Sequence, residues 1–230
     1  MMVYREVTLR ESVAENGFSV IDSFVSDDVV ESLLSAVTNK LGSDRAGTRQ
    51  LHQRVPDIGS FLRRPGVVTL IQELLPGGFP VRSILFDKTP ETNWRVAWHQ
   101  DLSICVKERH DIAGFSAWSV KEGIHHVHPP TGILERMRTL RLHLDDCDQE
   151  NGPLRVIPGS HRKGRLTSAE IAAWRNKGPV ETCVVPRGGA VIMKPLLLHS
   201  STAATNPRHR RVLHIEFASE ALPTPLEWIS

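Results

Sequence analysis

Thr139-Leu140-Arg141-Leu142-His143-Leu144-Asp145 alternates leucine with a polar residue along its whole length. Successive side chains of a strand point to opposite faces, so this stretch predicts a strand with an apolar face and a face carrying Arg141, His143 and Asp145. The polar face lines a cavity or meets water. Short apolar or alternating runs punctuated by Gly and Pro flank it at 80–86, 94–99, 154–157, 180–185, 190–193 and 211–217. That spacing is the pattern of a β-sandwich or jelly roll.

Before Gly78 the period is helical instead. Ser26 and Asp27 precede Val29, Val30, Leu33, Leu34 and Val37, one apolar face behind an N-cap. Pro65 opens a second helix bearing Val67, Val68, Leu70, Ile71, Leu74 and Leu75, which Pro76-Gly77-Gly78 stops. Residues 42–60 between the two read as a polar loop. Thr167-Ser168-Ala169-Glu170 matches a capping box and introduces a short helix through about Trp174. Residues 119–133 hold Gly123, His125, His126, His128, Pro129 and Pro130 and read as an active-site loop, too long and irregular for a tight turn. Without repeats or a linker, residues 1–230 are expected to form a single domain, with a helical region at about 1–78 and a mainly β core at about 79–220.

Composition narrows the functional classes. Of 230 residues, 40% are hydrophobic and 23% charged, ordinary for a globular chain with a sizeable core. Lys+Arg 28 against Asp+Glu 26 leaves +2, and the basic residues are scattered. Neither nucleic acid nor an anionic membrane is expected as a partner, which leaves a small molecule. Cys105, Cys147 and Cys183 are an odd number without C-x-x-C spacing, so neither a disulfide framework nor a thiolate zinc site is expected. A reducing cytoplasm fits. Arg5, Glu6, Arg10 and Glu11 stand where a signal peptide needs an apolar run, and no apolar stretch is long enough for a bilayer, so a soluble, unexported protein is expected.

His99-Gln100-Asp101 closes a predicted strand, where residues two apart share a face and can grip one ion; the distant His199 can supply a third ligand. Two imidazoles and one carboxylate on one face of an octahedral iron leave the opposite positions open for co-substrate and O2. Alone, H-x-D is weak among eleven histidines, for which a surface or hydrogen-bonding role is the ordinary one. After His199, the segment Ser200, Ser201, Thr202, Asn206, Arg208, Arg210 and Arg211 leads into Val212-Leu213-His214-Ile215-Glu216-Phe217. One inward arginine there can clamp a carboxylate through two parallel hydrogen bonds. Strand alternation sends Arg210 and Arg211 to opposite faces, so only one of them can be the clamp.

Trp98-His99-Gln100-Asp101, then Glu150-Asn151-Gly152-Pro153-Leu154-Arg155-Val156-Ile157-Pro158-Gly159-Ser160-His161, then His199 with its Ser and Arg-Arg sequel, together resemble the phytanoyl-CoA dioxygenase family. Asn16-Gly17-Phe18-Ser19-Val20-Ile21 and the helix behind Ser26-Asp27 resemble the family's N-terminal region, so the likeness spans nearly the whole chain. The resemblance implies a double-stranded β-helix, a cupin-like jelly roll with flanking α-helices. It implies Fe(II) held by His99, Asp101 and His199, with 2-oxoglutarate as co-substrate and O2 as oxidant. By family offset, Arg210, eleven residues after the second His, pairs with the distal carboxylate of 2-oxoglutarate, and Ser201 accompanies it. The implied reaction hydroxylates an unactivated C–H bond of a small molecule while 2-oxoglutarate becomes succinate and CO2. Related halogenases replace the carboxylate ligand by a small residue, so the presence of Asp101 favours hydroxylation.

Other residues weigh less. In the expected loop, Trp118 is the tryptophan placed to touch substrate, whereas Trp94 and Trp98 have the ordinary prospect of buried packing. Among Lys88, Arg95, Arg141 and Arg155, Arg141 is the one whose strand has a polar face to meet an anionic substrate. His161 reads as a hydrogen-bonding loop residue, and His125, His126 and His128 stay outside the metal site. Two other functions compete: a zinc hydrolase or isomerase on a similar scaffold, which needs no 2-oxoglutarate, and a non-catalytic binding or sensor protein.

Overall fold

The computed structural model describes residues 8–41 and 47–229. The chain starts with α1 (Leu9–Glu15), β1 (Phe18–Ile21), α2 (Asp27–Leu41), β2 (Thr48–Arg49), α3 (Leu51–Arg54), α4 (Pro56–Leu62) and α5 (Pro65–Leu74). Then come β3 (Phe79–Lys88), β4 (Val96–His99), β5 (Ile104–Val106), β6 (Ser116–Lys121), β7 (Ile124–His128), α6 (Thr131–Glu135) and β8 (Met137–His143). The last part is β9 (Leu154–Val156), a 3-10 turn at Ser160–Lys163, α7 (Ser168–Lys177), β10 (Glu181–Cys183), β11 (Ala190–Met193), β12 (His199–Ser201) and β13 (Arg210–Ala218). The expected capping box is present: Thr167 accepts from the Glu170 N–H and Glu170 reaches back to the cap, so α7 runs to Lys177.

The strands pair antiparallel in three sheets. The largest has the order β1-β11-β8-β13-β3-β2, the second β10-β9-β12-β4, and the third β5-β7-β6. The first two face each other across a cavity, giving the double-stranded β-helix jelly roll with flanking helices. Alternation on β8 and β13 explains the layering. Leu140, Leu142, Leu213, Ile215 and Phe217 point to one side, where they pack with Val30 and Leu33 of α2, Ile58 of α4 and Leu70 of α5. Burying each such side chain contributes about 1.5–3 kcal/mol. The opposite face of the same two strands carries Arg141, His143, His214 and Glu216, all buried between the sheets. The polar face of 139–145 therefore looks onto the interior rather than water.

Two expectations need correction. The stretch 42–60 is not a polar loop over its described part: it forms β2, α3 and most of α4. Leu51, Val55 and Ile58 recur at helical spacing, are at most 1% exposed, and fill the core beneath β3. Polar neighbours hid that face. The stretch 119–133 is not an irregular loop but the end of β6, a hairpin to β7, and α6. Glu122 and Gly123 both have positive φ, 52° and 78°, and Lys121 pairs with Ile124, so a two-residue turn whose twist suits a hairpin joins the strands. The prolines that looked like loop residues precede α6. Cys105, Cys147 and Cys183 are free and buried. Among the described residues no helix is long and apolar enough to cross a membrane.

Candidate active site

β4 and β12 are neighbours in the smaller facing sheet, and their register sets His199 directly opposite His99. The two rings lie 4.2 Å apart between centroids. Asp101 follows His99 by two residues, and its N–H donates to the Pro195 carbonyl at 2.9 Å, tying it to the segment that leads into β12. Gln100 points the other way and bolts the turn down: its Nε2 donates to the Leu196 and Gly164 carbonyls at 2.7 and 2.8 Å, and its Oε1 accepts from the Leu166 N–H at 2.8 Å. The middle residue of H-x-D thus orients both neighbours, a role the sequence reading did not assign.

Each histidine is oriented by its own strand. Nδ1 of His99 donates to the Ala97 carbonyl at 2.9 Å, and Nδ1 of His199 to that of Leu197 at 2.8 Å. Those bonds fix the tautomer that leaves both Nε2 lone pairs free, as a metal ligand requires. Each Nε2 stands 3.7 Å from an Asp101 oxygen, too far for a hydrogen bond and close enough to share an ion. The ligand atoms of His99, Asp101 and His199 all lie within 4.8 Å of one another, and Asp101 Oδ2 is buried without a hydrogen-bond partner. Burial would raise the Asp101 pKa, but His199, His214, His99 and Arg82 outweigh it and hold the carboxyl at about 2. Burial lowers His199 to about 4 despite the pull of Asp101. At neutral pH the carboxylate is charged and this imidazole neutral, the ligating states of both. The orphaned carboxylate oxygen and the two aimed nitrogens fit a divalent metal of the iron type.

The triad opens on a cavity of about 200 Å³ between the sheets. Ile84, Phe86, Trp94, Val96 and Leu154 make its apolar walls. A polar chain crosses three adjacent strands of its floor. Arg141 of β8 donates through Nη1 to His214 Nδ1 at 2.8 Å, His214 Nε2 donates to Glu216 at 3.2 Å, and Arg82 of β3 donates to the same Glu216 oxygen at 3.1 Å. Arginine cannot accept, so His214 is held in the Nε2–H tautomer.

Beyond Ser201 lies a second group of cations. Arg210 opens β13 opposite Lys88 of β3, and both side chains are buried. Lys88 Nζ donates to Ser201 Oγ at 3.1 Å and to the Thr202 carbonyl at 2.6 Å; burial, then Arg210, lowers its pKa to about 8. Arg210 donates to the Gly152 carbonyl and has an unpartnered Nε. Gly152 has φ +61°, and a Cβ there would sit 2.7 Å from the Thr202 carbonyl, so only glycine lets this loop approach β12. His143 faces the same interior with neither ring nitrogen hydrogen-bonded. Arg211 points outward and makes a two-pronged ion pair with Asp145 at 2.6 and 2.8 Å.

The structure thus brings His99, Asp101, His199, Ser201 and Arg141 to one cavity, with Arg210 behind Ser201. Trp118 is elsewhere: it lies on β6, half-buried against the cluster around Ile104 and Trp228, with Arg109 5.5 Å from its ring. Trp94 is the tryptophan in the cavity wall. Arg82, His214 and Glu216 were missed, although two-residue alternation from Arg210 through Val212 places His214 and Glu216 on its face.

Comparison with known proteins agrees with this architecture. The chain is similar to L-proline trans-4-hydroxylase of Streptomyces griseoviridis, 27% identical over 184 residues, which cover 68% of this chain and 61% of that protein. The matches span 61% and 48% of the curated relatives' lengths. Among solved structures, EctD from S. alaskensis in its apoform superposes with a TM-score of 0.72 at 18% identity, covering 93% of this chain and 78% of that one. AviO1 from Streptomyces viridochromogenes superposes with a TM-score of 0.66 at 23% identity, covering 97% of this chain and 99% of that one. Residues 13–212 match the phytanoyl-CoA dioxygenase (PhyH) family, and the chain belongs to that family.

Proposed function

We propose that this chain is an Fe(II)- and 2-oxoglutarate-dependent dioxygenase that hydroxylates a small molecule. The substrate C–H, O2 and 2-oxoglutarate become the alcohol, succinate and CO2. The observation that carries the reading is the convergence of His99, Asp101 and His199, with both Nε2 atoms free, on a cavity backed by buried cations. The hydroxylase among the relatives supports the reaction class. Residues 1–230 work as one oxygenase unit in this reading, because the helical layer packs on the sheet whose other face lines the cavity.

His99, Asp101 and His199 hold the metal, and bound Fe(II) supplies the redox chemistry that couples O2 and 2-oxoglutarate to C–H oxidation. Arg210 turns from the Gly152 carbonyl to the distal carboxylate of 2-oxoglutarate, and the Ser201 hydroxyl donates beside it. Lys88 adds positive charge from behind. The apolar walls exclude water from the reacting centre. Keeping the carboxylate ligand Asp101 goes with hydroxylation rather than halogenation.

The test is succinate release measured while Fe(II), O2 and 2-oxoglutarate are each withheld in turn across a screen of small metabolites. Release is expected only with all three present, and a substrate raises it. Zinc-supported hydrolysis without 2-oxoglutarate would replace this reading with a metallohydrolase. Folded protein that binds neither iron nor 2-oxoglutarate would leave a non-catalytic binding role.

A further inference from the structure

We propose that Arg141 recognises a carboxylate on the primary substrate, so that this enzyme acts on small carboxylic acids. The inference rests on the dioxygenase reading above and names the substrate class for that site.

With 2-oxoglutarate counted as the partner of the Arg210 group, the charges around the cavity are matched except at one place. Arg82 is answered by Glu216, and Asp101 faces the two histidines that share the metal. Lys88 and Arg210, with the Ser201 hydroxyl, stand together at the far end and supply enough donors for the distal carboxylate of 2-oxoglutarate. Arg141 is left over. Its side chain is buried, it makes one hydrogen bond, to a neutral nitrogen of His214, and its Nε has no partner. Among the described residues no carboxylate lies within ion-pairing distance of it. Burial lowers its pKa to about 10, which keeps it charged at neutral pH.

Protein interiors rarely keep a cation unanswered, because desolvation of the charge is repaid only by a partner. Arg141 is also held ready for one. His214 fixes Nη1, and the Phe86 ring stands 5.8 Å from the guanidinium and edge-on to His214. Its Nε is left without a partner, and a guanidinium suits a carboxylate in two-pronged contact. In strand register Arg141 sits beside His214, two residues along β13 from Val212 and four from Arg210. Unlike Arg210 and Lys88, it lines the cavity together with His99, Asp101 and His199. A cavity of about 200 Å³ is small against the 300–1,000 Å³ or so of ligand pockets, so the enclosed space suits co-substrate and the reacting end of a compact acid.

The experiment loads the protein with Mn(II) and saturating 2-oxoglutarate without O2 and titrates acetate, the simplest carboxylate, at constant ionic strength, reading the melting temperature. Acetamide is the neutral control. A saturable rise with acetate and none with acetamide is expected. In Arg141→Met the acetate affinity falls at least tenfold, the shift caused by 2-oxoglutarate itself is unchanged, and the ligand-free protein melts no lower than wild type because an unanswered buried charge has gone. If Arg141→Met does not fold, Arg141→Lys, which keeps the charge and loses the fork, is read the same way and loses most of the acetate affinity. No acetate effect in wild type, or an equal one in the variant, overturns the proposal. A weakened 2-oxoglutarate shift in the variant also overturns it, by assigning Arg141 to the co-substrate. Absence of any metal-dependent 2-oxoglutarate shift in wild type overturns the dioxygenase reading first, on a separate readout, and this proposal with it.

Discussion

Arg210→Ala separates the two adjacent arginines. Arg210 is 3% exposed on the inward face of β13, beside Lys88 and the Gly152 carbonyl, whereas Arg211 is partly exposed and spent on Asp145. Removing one partner of a buried, hydrogen-bonded charge pair costs about 2–5 kcal/mol. At about 1.4 kcal/mol per factor of ten, that is roughly 30- to 4,000-fold in 2-oxoglutarate affinity. Lys88 stays behind as a nearby cation, so the loss falls toward the lower end, on the order of 30- to 300-fold. Arg211→Ala breaks a partly exposed ion pair worth about 1 kcal/mol of stability and leaves 2-oxoglutarate binding within about twofold. Calorimetric titration of 2-oxoglutarate into Mn(II)-loaded protein measures both. The assignment of the clamp is refuted if Arg211→Ala weakens binding as much as Arg210→Ala, or if Arg210→Ala binds as wild type does.

Gly152→Ala places a Cβ against the Thr202 carbonyl in a left-handed conformation, so it destabilises the protein by about 1–2 kcal/mol or more and weakens 2-oxoglutarate through the displaced Arg210 partner. Urea unfolding with the same calorimetric titration checks both, and an unaffected Kd would mean the loop does not position Arg210. Burial, ahead of nearby cations, depresses His126 and His161 to about 4, below their unfolded value near 6.5. The unfolded chain then takes up protons that the native one refuses. Stability present above about pH 6.5 is therefore lost as pH falls toward 4, by up to a few kcal/mol for the two together. Urea unfolding at steps from pH 7 to 5 should show the decline, and a flat profile would contradict it.

The alternation of Leu140, Leu142 and Leu144 revealed both the strand and its two faces, because a leucine at every second position leaves no other regular structure. What it could not reveal was that the polar face is enclosed; that depends on β4, β9 and β12 arriving opposite it from distant parts of the chain. The H-x-D pair was legible because two-residue spacing is local. Their union with His199 is a matter of register between β4 and β12, and β12 is three residues long, too short to announce itself. Arg210 was distinguished from Arg211 by family offset, and the same parity, carried two and three steps further, marks His214 and Glu216. Trp118 was misplaced because the hairpin joining β6 and β7 was read as a loop: a turn of only Glu122 and Gly123 lacks the usual asparagine or aspartate signal. The core of α3 and α4 was masked by arginine, glutamine and aspartate on their outer faces.

The central claim is that His99, Asp101 and His199 form one metal site that also receives 2-oxoglutarate. Anaerobic addition of Fe(II) and then 2-oxoglutarate, followed by visible absorption, tests it most directly. Wild type should develop a metal-to-ligand charge-transfer band that saturates with one equivalent of each, and His199→Ala and Asp101→Ala, folded by circular dichroism, should not. A band of equal strength in either variant, or none in wild type, would contradict the account.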